Sequence, residues 1–205
     1  RAYERINAGL DGTLKRGKIT EEQAAKAREV FSITTDLGAV ANADIVVEAV
    51  YEDVALKNDI LGRIDKLVGP NTYIASNTST IPLVILAGAT TRPERVVGLH
   101  FFNPVPAMKL VEVIKTPVTS EDDVAAMVEL AQRMGKSPVV VNDVPGFVGN
   151  LLITPYLNDA IRAFERGVAP MESIDEVMQL GFNHPMGPFR LADLIGLDIV
   201  HDMGA

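Results

Sequence analysis

Short apolar segments of strand-like composition alternate with helical segments from residue 43 to residue 143, and this alternation restricts the fold more than any other feature. Ala43–Val50 (ADIVVEAV) is a continuous apolar run, typical of a strand buried on both faces of a parallel sheet. The other predicted strands are FSITT (Phe31–Thr35), TYIAS, RVVGLHFF, KLVEVI and SPVVVND. Strands separated by helices in this way predict an α/β fold with a doubly wound, mostly parallel sheet.

The segments on either side of this region favour helices. Residues 1–30 predict two helices joined by a turn, with Thr20 as the N-cap of the second helix. Beyond Pro145-Gly146 only helical patterns remain, at Phe147–Arg166, Met171–Gly181 and Phe189–Met203. We therefore predict an α/β domain over residues 1–144 and an all-helical domain over residues 145–205. Because the chain begins without Met and stops within a helical pattern, we expect both domains to be partial.

Composition excludes several classes of protein. A formal net charge of −8 without a cluster of Lys or Arg offers no attractive surface to nucleic acid. No apolar run is long enough to span a bilayer, and no signal-peptide pattern opens the chain. The sequence has no Cys, which fits a reducing compartment, so we expect a soluble, cytoplasmic protein.

Polar residues at the ends of the predicted strands indicate a site for proton transfer. Ligands of open α/β sheets bind outside the carboxyl ends of the strands, where we expect Ser79, His100, Glu112 and Asn150 to converge. An imidazole can accept a proton near neutral pH, and a carboxylate on its other nitrogen fixes the tautomer and stabilises the cation. His100 and Glu112 are the candidates for these two roles, because a Glu between Val111 and Val113 is costly to bury unless it is paired.

Simpler interpretations of the same residues stay open at this point. His100 could be a core histidine with satisfied hydrogen bonds, and Glu112 could lie on the solvent face of an edge strand. Ser79 and Asn150 could each cap a helix. The sequence around His184 and His201, in the helical region, shows no partnering pattern, so we assign them structural or surface roles, and no ligand spacing indicates a metal site.

Several motifs together make the chain resemble one enzyme family. They are IVVEAVYEDVALKNDIL, ASNTSTI, GLHFFNPVPAMKLVEVI, PGFVGNLLITPYLNDAI and GFNHPMGPFRLADLIGLD. Over nearly its whole length the sequence is similar to the 3-hydroxyacyl-CoA dehydrogenases, including the bacterial 3-hydroxybutyryl-CoA dehydrogenases. The resemblance implies a Rossmann-type NAD-binding domain over residues 1–144 and a helical domain for substrate binding and dimerisation beyond it.

The resemblance also implies an activity and a role for each candidate residue. The reaction would be NAD-dependent oxidation of (S)-3-hydroxyacyl-CoA to 3-ketoacyl-CoA and the reverse reduction, as in β-oxidation of fatty acids and butanoate metabolism, by a homodimer. His100 matches the family's general acid/base and Glu112 its orienting partner. Ser79 matches the hydroxyl that hydrogen-bonds the substrate oxygen, and Asn150 the amide that holds the substrate carbonyl.

A further set of positions matches residues that contact the nicotinamide cofactor in the family. They are Glu52, Lys57, Ser79 and Asn103. The glycine fingerprint G-x-G-x-x-G that receives the cofactor pyrophosphate does not occur in the sequence, and Leu151 stands where relatives commonly have Arg. In the usual strand order Phe31–Thr35 and Ala43–Val50 would flank two strands that the sequence does not contain, so we expect that further residues before Arg1, or another chain, cover this edge.

Three other functions remain as alternatives. A Ser/His/Glu hydrolase could use Ser79, His100 and Glu112, but the G-x-S-x-G nucleophile elbow is missing. A relative acting on free hydroxy acids would keep the same proton chemistry. A non-catalytic member of the same scaffold, unable to bind NAD unaided, is the third.

Overall fold

A five-stranded sheet forms the centre of the α/β region in the computed structural model, which describes residues 2–204. The strands lie in the order β1 to β5 across the sheet. They are β1 (Ile45–Glu48), β2 (Tyr73–Ser76), β3 (Val96–Phe101), β4 (Leu110–Lys115) and β5 (Ser137–Asn142). Only the β3–β4 pairing is antiparallel among these strands, which confirms the predicted mostly parallel sheet.

Helices account for most of the remaining described residues. They are α1 (Ala2–Lys15), α2 (Glu21–Val30), α3 (Val54–Leu67), α4 (Leu83–Ala87), α5 (Glu121–Arg133), α6 (Gly149–Glu165), α7 (Met171–Phe182), α8 (Pro188–Ile195) and α9 (Leu197–Gly204). Two short 3₁₀ helices span Leu37–Val40 and Pro93–Arg95. None of the helices described between residues 2 and 204 is long and apolar enough to cross a membrane.

The chain divides after Ala41 into two compact units. In the first unit, α1 and α2 form the predicted helix pair, and Thr20 and the Gln23 side chain form a reciprocal capping box at the start of α2. Arg28 of α2 donates to the Asp11 carboxylate of α1 at 2.5 Å. The prediction that the domain boundary lies at residue 144 stays a prediction.

The strand predicted at Phe31–Thr35 is wrong. These residues follow α2 in irregular backbone, and residues 2–41 contain no strand. A strand is stable only when a neighbour completes its hydrogen-bond ladder, and the described part of this unit offers none. The segment is rich in β-branched residues, but it has no neighbouring strand in the described part of this unit with which to pair.

The second unit contains the sheet, and α5 covers one face of it. Val97 and Leu99 of β3 pack with Val111 and Val113 of β4 against Val124, Met127 and Ala131 of α5. Because side chains alternate between the two faces of a strand, His100 and Glu112 point to the face opposite α5. The predicted Ser120 N-cap of α5 is confirmed, with its side chain accepting a hydrogen bond from Asp123 N.

The helical segment beyond β5 differs from prediction at its end. A single helix was expected over Phe189–Met203, whereas Gly196, with a φ of 104°, separates α8 from α9. This backbone angle is one that glycine adopts readily and other residues avoid. Leu157 of α6, Ala192 of α8 and Val200 of α9 form the small core of this region.

Candidate active site

His100 and Glu112 face each other across the antiparallel β3–β4 pair. His100 Nδ1 lies 2.7 Å from Glu112 Oε2, and the two residues are 5% and 2% exposed. Glu112 is therefore not on a solvent face, and β4 is an inner strand with β5 beside it. Such a carboxylate favours the tautomer that carries its proton on Nδ1, which leaves Nε2 as the acceptor.

The other oxygen of Glu112 binds the start of α6. Oε1 accepts hydrogen bonds from the backbone amides of Val148 at 3.1 Å and Gly149 at 2.9 Å. Burial raises the pKa of Glu112, but the hydrogen bond from His100, these two amides and the charge of His100 together hold the pKa below its ordinary value. Glu112 is thus an ionised group that joins the sheet to helix α6.

Two aromatic rings pack beside the imidazole of His100. The ring of Phe102 lies 4.6 Å and that of Phe147 5.7 Å from it, centroid to centroid. A Cβ on Gly149 would lie 2.8 Å from Cζ of Phe102, so only glycine lets α6 begin this close to the ring. Phe147 is fully buried with a φ of 50°, a strained angle at a residue directly before α6.

Asn150 connects the start of α6 with the turn after β2. Its Nδ2 donates to the backbone oxygen of Ser79 at 3.1 Å. Neither residue caps a helix as the simpler interpretation required. The N-cap position of α6 is Val148, and the first amides of α4, those of Leu83 and Val84, bind the carboxylate of Asp143 at 2.7 Å.

Three side-chain atoms at this site have no hydrogen-bond partner within residues 2–204. They are Ser79 Oγ, Asn150 Oδ1 and His100 Nε2. Ser79 is held through its backbone amide and His100 through Nδ1, and the second N–H of Asn150 Nδ2 has no partner in the described chain either, so each residue keeps a group for a ligand. In particular, no hydrogen bond joins Ser79 Oγ to His100 in the described chain, as a serine hydrolase would need.

Glu52 organises the turn that contains Ser79. Its Oε1 accepts hydrogen bonds from the hydroxyl of Thr78 at 2.5 Å, the amide of Ser79 at 2.8 Å and the amide of Thr80 at 3.0 Å. Burial raises the pKa of Glu52, but the bonds from Thr78, Thr80 and Ser79 and the charge of Lys57 lower the pKa to about 2. Its side chain is 37% exposed, so an ionised acceptor is accessible at the end of β1.

Lys57 lies under this turn and is only 1% exposed. Its Nζ donates to Glu48 Oε1 at 2.8 Å and to the backbone oxygen of Val50 at 3.2 Å, and it lies 3.3 Å from Glu52 Oε2. Asn103 follows β3, is exposed, and makes no side-chain hydrogen bond within the described chain. The structure thus groups Glu52 with Lys57 and Ser79, whereas it gives Asn103 no contact with that group.

Several residues that hold the site together lie at the predicted strand ends, but the sequence indicated no role for them. Glu48 and Ser76 form a buried hydrogen bond of 2.6 Å, and the side chain of Asn77 accepts the amide of Phe101, next to His100, at 3.0 Å. The spacing of Glu48 and Lys57 across the β1–α3 turn was a usable signal, since a lysine in the first turn of a buried helix needs a carboxylate. His184 has Tyr156 as a partner, with 3.2 Å between Nδ1 and the hydroxyl.

A mostly parallel sheet, polar side chains at the carboxyl ends of its first strands, and a buried His–Glu pair beside a helical segment are features of the Rossmann-type NAD-dependent oxidoreductases. Two family models match the chain. One, for the NAD binding domain of 3-hydroxyacyl-CoA dehydrogenase, covers residues 1–144, and one, for the C-terminal domain, covers residues 146–204. The chain belongs to the 3-hydroxyacyl-CoA dehydrogenase family, and its cofactor is NAD.

Individual relatives agree with this assignment. A probable 3-hydroxybutyryl-CoA dehydrogenase of Bacillus subtilis is 47% identical over 95% of the chain and 68% of its own length. The mitochondrial hydroxyacyl-coenzyme A dehydrogenase of Homo sapiens is 48% identical over 88% of the chain, which spans 58% of that enzyme. The crystal structure of (S)-3-hydroxybutyryl-CoA dehydrogenase from Ralstonia eutropha is 44% identical, with a TM-score of 0.94 over 98% of this chain and 71% of that one.

Two groups at the carboxyl ends of β1 and β2 have the chemistry that a nicotinamide cofactor requires. Glu52 offers an ionised acceptor for ribose hydroxyls, and Ser79 offers a hydroxyl without a partner in the described residues. Among residues 2–204 no group of three or more His, Asp or Glu is arranged to hold a metal ion.

Proposed function

We propose that the complete protein oxidises the 3-hydroxyl of an (S)-3-hydroxyacyl-CoA to the ketone with NAD, and catalyses the reverse reduction. The observation that carries this proposal is the 2.7 Å bond between His100 Nδ1 and Glu112 Oε2, which leaves Nε2 free for the substrate. The names of the relatives from Bacillus subtilis and Ralstonia eutropha support the choice of substrate class.

His100 is the general base in the oxidation. The bound cofactor supplies the acceptor for the hydride that leaves C3 of the substrate. As the hydride leaves, the hydroxyl becomes acidic and its proton passes to His100 Nε2. Glu112 stabilises the resulting imidazolium through Nδ1–H, and in the reduction the same imidazolium returns the proton to the substrate oxygen.

Ser79 and Asn150 orient the reacting group in this proposal. Ser79 Oγ donates to the substrate oxygen, and the second N–H of Asn150 Nδ2, the one that does not bind Ser79 O, donates to the thioester carbonyl. The 3.1 Å hydrogen bond from Asn150 Nδ2 to Ser79 O holds these two residues together, which supports their binding to the same substrate. Positioned donors of this kind act mainly on the charge that develops during reaction.

Glu52, Lys57, Ser79 and Asn103 form the nicotinamide end of the cofactor site in this proposal. The exposed carboxylate of Glu52 supports its contact with the cofactor ribose, while the burial of Lys57 supports an action through Glu52. Domains over residues 1–144 and 145–205 correspond to cofactor binding and to substrate binding.

We propose a cytoplasmic homodimer as the working state. The bacterial relatives support the cytoplasm, although relatives named as mitochondrial also exist. Large apolar side chains that are exposed on α6 to α8 support burial against a second subunit. These side chains include Leu152 (66%), Leu180 (79%), Phe182 (67%) and Leu194 (69%). Sedimentation of the complete protein and cell fractionation test these two statements.

The activity is tested by following absorbance at 340 nm when the complete protein receives acetoacetyl-CoA and NADH. We expect oxidation of NADH that depends on the thioester, and its loss in His100→Gln with NADH binding retained. Turnover by His100→Gln at the parental rate would contradict the mechanism. NADH binding without any turnover would instead favour a non-catalytic scaffold, and equal turnover of free acetoacetate would contradict the substrate class.

A further inference from the structure

Glu48 is a buried carboxylate that the proposed mechanism does not use. It ends β1, its side chain is 0% exposed, and both of its oxygens are engaged. Oε1 accepts from the amide of Val50 at 2.6 Å and from Lys57 Nζ at 2.8 Å, and Oε2 accepts from Ser76 Oγ at 2.6 Å. Burying a carboxylate costs free energy unless donors compensate for the lost water. The charged hydrogen bonds that compensate here fix the positions of the donor groups around Glu48.

Lys57 would be unstable at its position without Glu48. It lies in the first turn of α3, where the positive end of the helix dipole disfavours a cation, and it is 1% exposed. Glu48 and Glu52 both contact its ammonium, at 2.8 and 3.3 Å. Lys57 therefore connects Glu48, at the end of β1, to the exposed carboxylate of Glu52.

A second connection runs from Glu48 through Ser76. Ser76 Oγ donates to Glu48 and accepts the amide of Thr78 at 3.2 Å, and the Thr78 hydroxyl in turn donates to Glu52 at 2.5 Å. The amide of Asn77 binds the backbone oxygen of Glu48 at 2.8 Å. Both connections from Glu48 thus end on the turn of residues 78–80, which presents the Ser79 hydroxyl.

We propose that Glu48 is a positioning residue for the cofactor site, acting through Lys57 and Ser76 to fix the orientation of Glu52 and of the turn that carries Ser79. This inference rests on the proposed function and extends it to a residue that touches neither ligand. It predicts that Glu48 affects cofactor affinity and the order of the 78–80 turn together, and that its effect depends on the presence of Lys57.

The test compares Glu48→Gln, Lys57→Met and the double variant in the complete protein. NADH dissociation constants from cofactor fluorescence, and amide hydrogen exchange of residues 78–80 without cofactor, are the two measurements. We expect Glu48→Gln to weaken NADH binding about tenfold, as the loss of a charged hydrogen bond predicts, and to speed exchange at Ser79 and Thr80. The double variant should be no more than about twofold weaker than Lys57→Met, since residues acting through one another are not additive.

Asp65→Asn provides the matched control. Asp65 is a buried carboxylate of α3, the helix of Lys57; it is 6% exposed and binds Thr91 and Arg92 instead of residues of the 78–80 turn. Its substitution should lower thermal stability while leaving the NADH constant and exchange at residues 78–80 at parental values. If Asp65→Asn weakens NADH binding as much as Glu48→Gln, the effect is general destabilisation and the inference is wrong.

Ser76→Ala covers the case in which Glu48→Gln does not fold. It removes one hydroxyl and should speed exchange at Thr78 and weaken NADH binding about threefold, because one neutral hydrogen bond is lost. Parental affinity and exchange in Ser76→Ala, or independent multiplying effects of Glu48→Gln and Lys57→Met, would overturn the inference. Failure of the unsubstituted protein to bind NADH would instead overturn the proposed function from which it starts.

Discussion

His100 and Glu112 lie opposite each other in the antiparallel β3–β4 pair, and their 2.7 Å hydrogen bond occupies one oxygen of a carboxylate whose other oxygen binds the start of α6. One buried group therefore fixes the imidazole and the helix that carries Asn150. Changes to either partner should disturb catalysis more than stability of the sheet.

Glu112→Gln should lower kcat for acetoacetyl-CoA reduction about a hundredfold, because the amide no longer stabilises the imidazolium that donates the proton. Residues that act as one unit are not additive, so Glu112→Gln combined with His100→Gln should be no slower than His100→Gln alone. Steady-state rates of the three variants check this. A double variant slowed by the product of the two single effects would show that the residues act independently.

Gly149→Ala should lower kcat about tenfold, because small displacements of catalytic groups carry large rate costs. The new Cβ would lie 2.8 Å from Phe102 Cζ and would push the ring against His100 or α6 away from Glu112. Gly181→Ala is the control, since a Cβ on this residue of α7 meets nothing within 4 Å. That change should leave kcat unaltered and add up to about 1 kcal/mol of stability.

Asn150→Ala should lower kcat/KM about a hundredfold, because the donor that positions the thioester carbonyl is lost and a misplaced substrate carries a rate cost of that order. The same substitution at Asn158, on the same helix, should have little effect on the rate. Near-parental kcat/KM in Asn150→Ala would mean that Asn150 serves only the fold.

Glu52→Gln should reduce the pH dependence of stability in acid. Glu52 has a folded-state pKa of about 2 against an ordinary 4.5, so its interactions stabilise the protein fully above pH 4.5 and are lost as pH falls towards 2. The parent should exceed Glu52→Gln in stability at neutral pH, and the difference should shrink over that acid range.

Denaturant unfolding at a series of pH values measures this difference. Glu121→Gln is the control, because Glu121 is 78% exposed in its pair with Lys115 and contributes little. A stability difference between parent and Glu52→Gln that stays constant down to pH 2 would contradict the low pKa.

The sequence predicted the alternating elements well, because a buried strand such as Ala43–Val50 and an amphipathic helix differ in local composition. It also placed His100 near Glu112, since a Glu within an apolar strand needs a partner. It was wrong at Phe31–Thr35, where strand formation depends on a neighbour and not on propensity. The break between α8 and α9 was also missed, because it depends on the positive φ of Gly196, which the spacing of apolar residues does not indicate.

The supporting contacts of the site could not be predicted in the same way. The amides of Val148 and Gly149 reach Glu112 only because α6 begins beside β4. Since almost every residue type has a backbone amide, the sequence does not indicate which amides will bind a carboxylate. The burial of Lys57 between Glu48 and Glu52 required the β1–α3 turn to bring three charges together. The contacts of Glu112 with α6 depend on long-range packing, whereas those of Lys57 depend on the geometry of one turn, for which the spacing of Glu48 and Lys57 is the signal in the sequence.

The pH dependence of kcat for acetoacetyl-CoA reduction, in the parent and in Glu112→Gln, tests the central claim most directly. If His100 donates the proton and Glu112 stabilises its charged form, the decline in rate at alkaline pH should begin at lower pH in Glu112→Gln than in the parent. Identical profiles for the two proteins, differing in neither height nor position, would contradict the account.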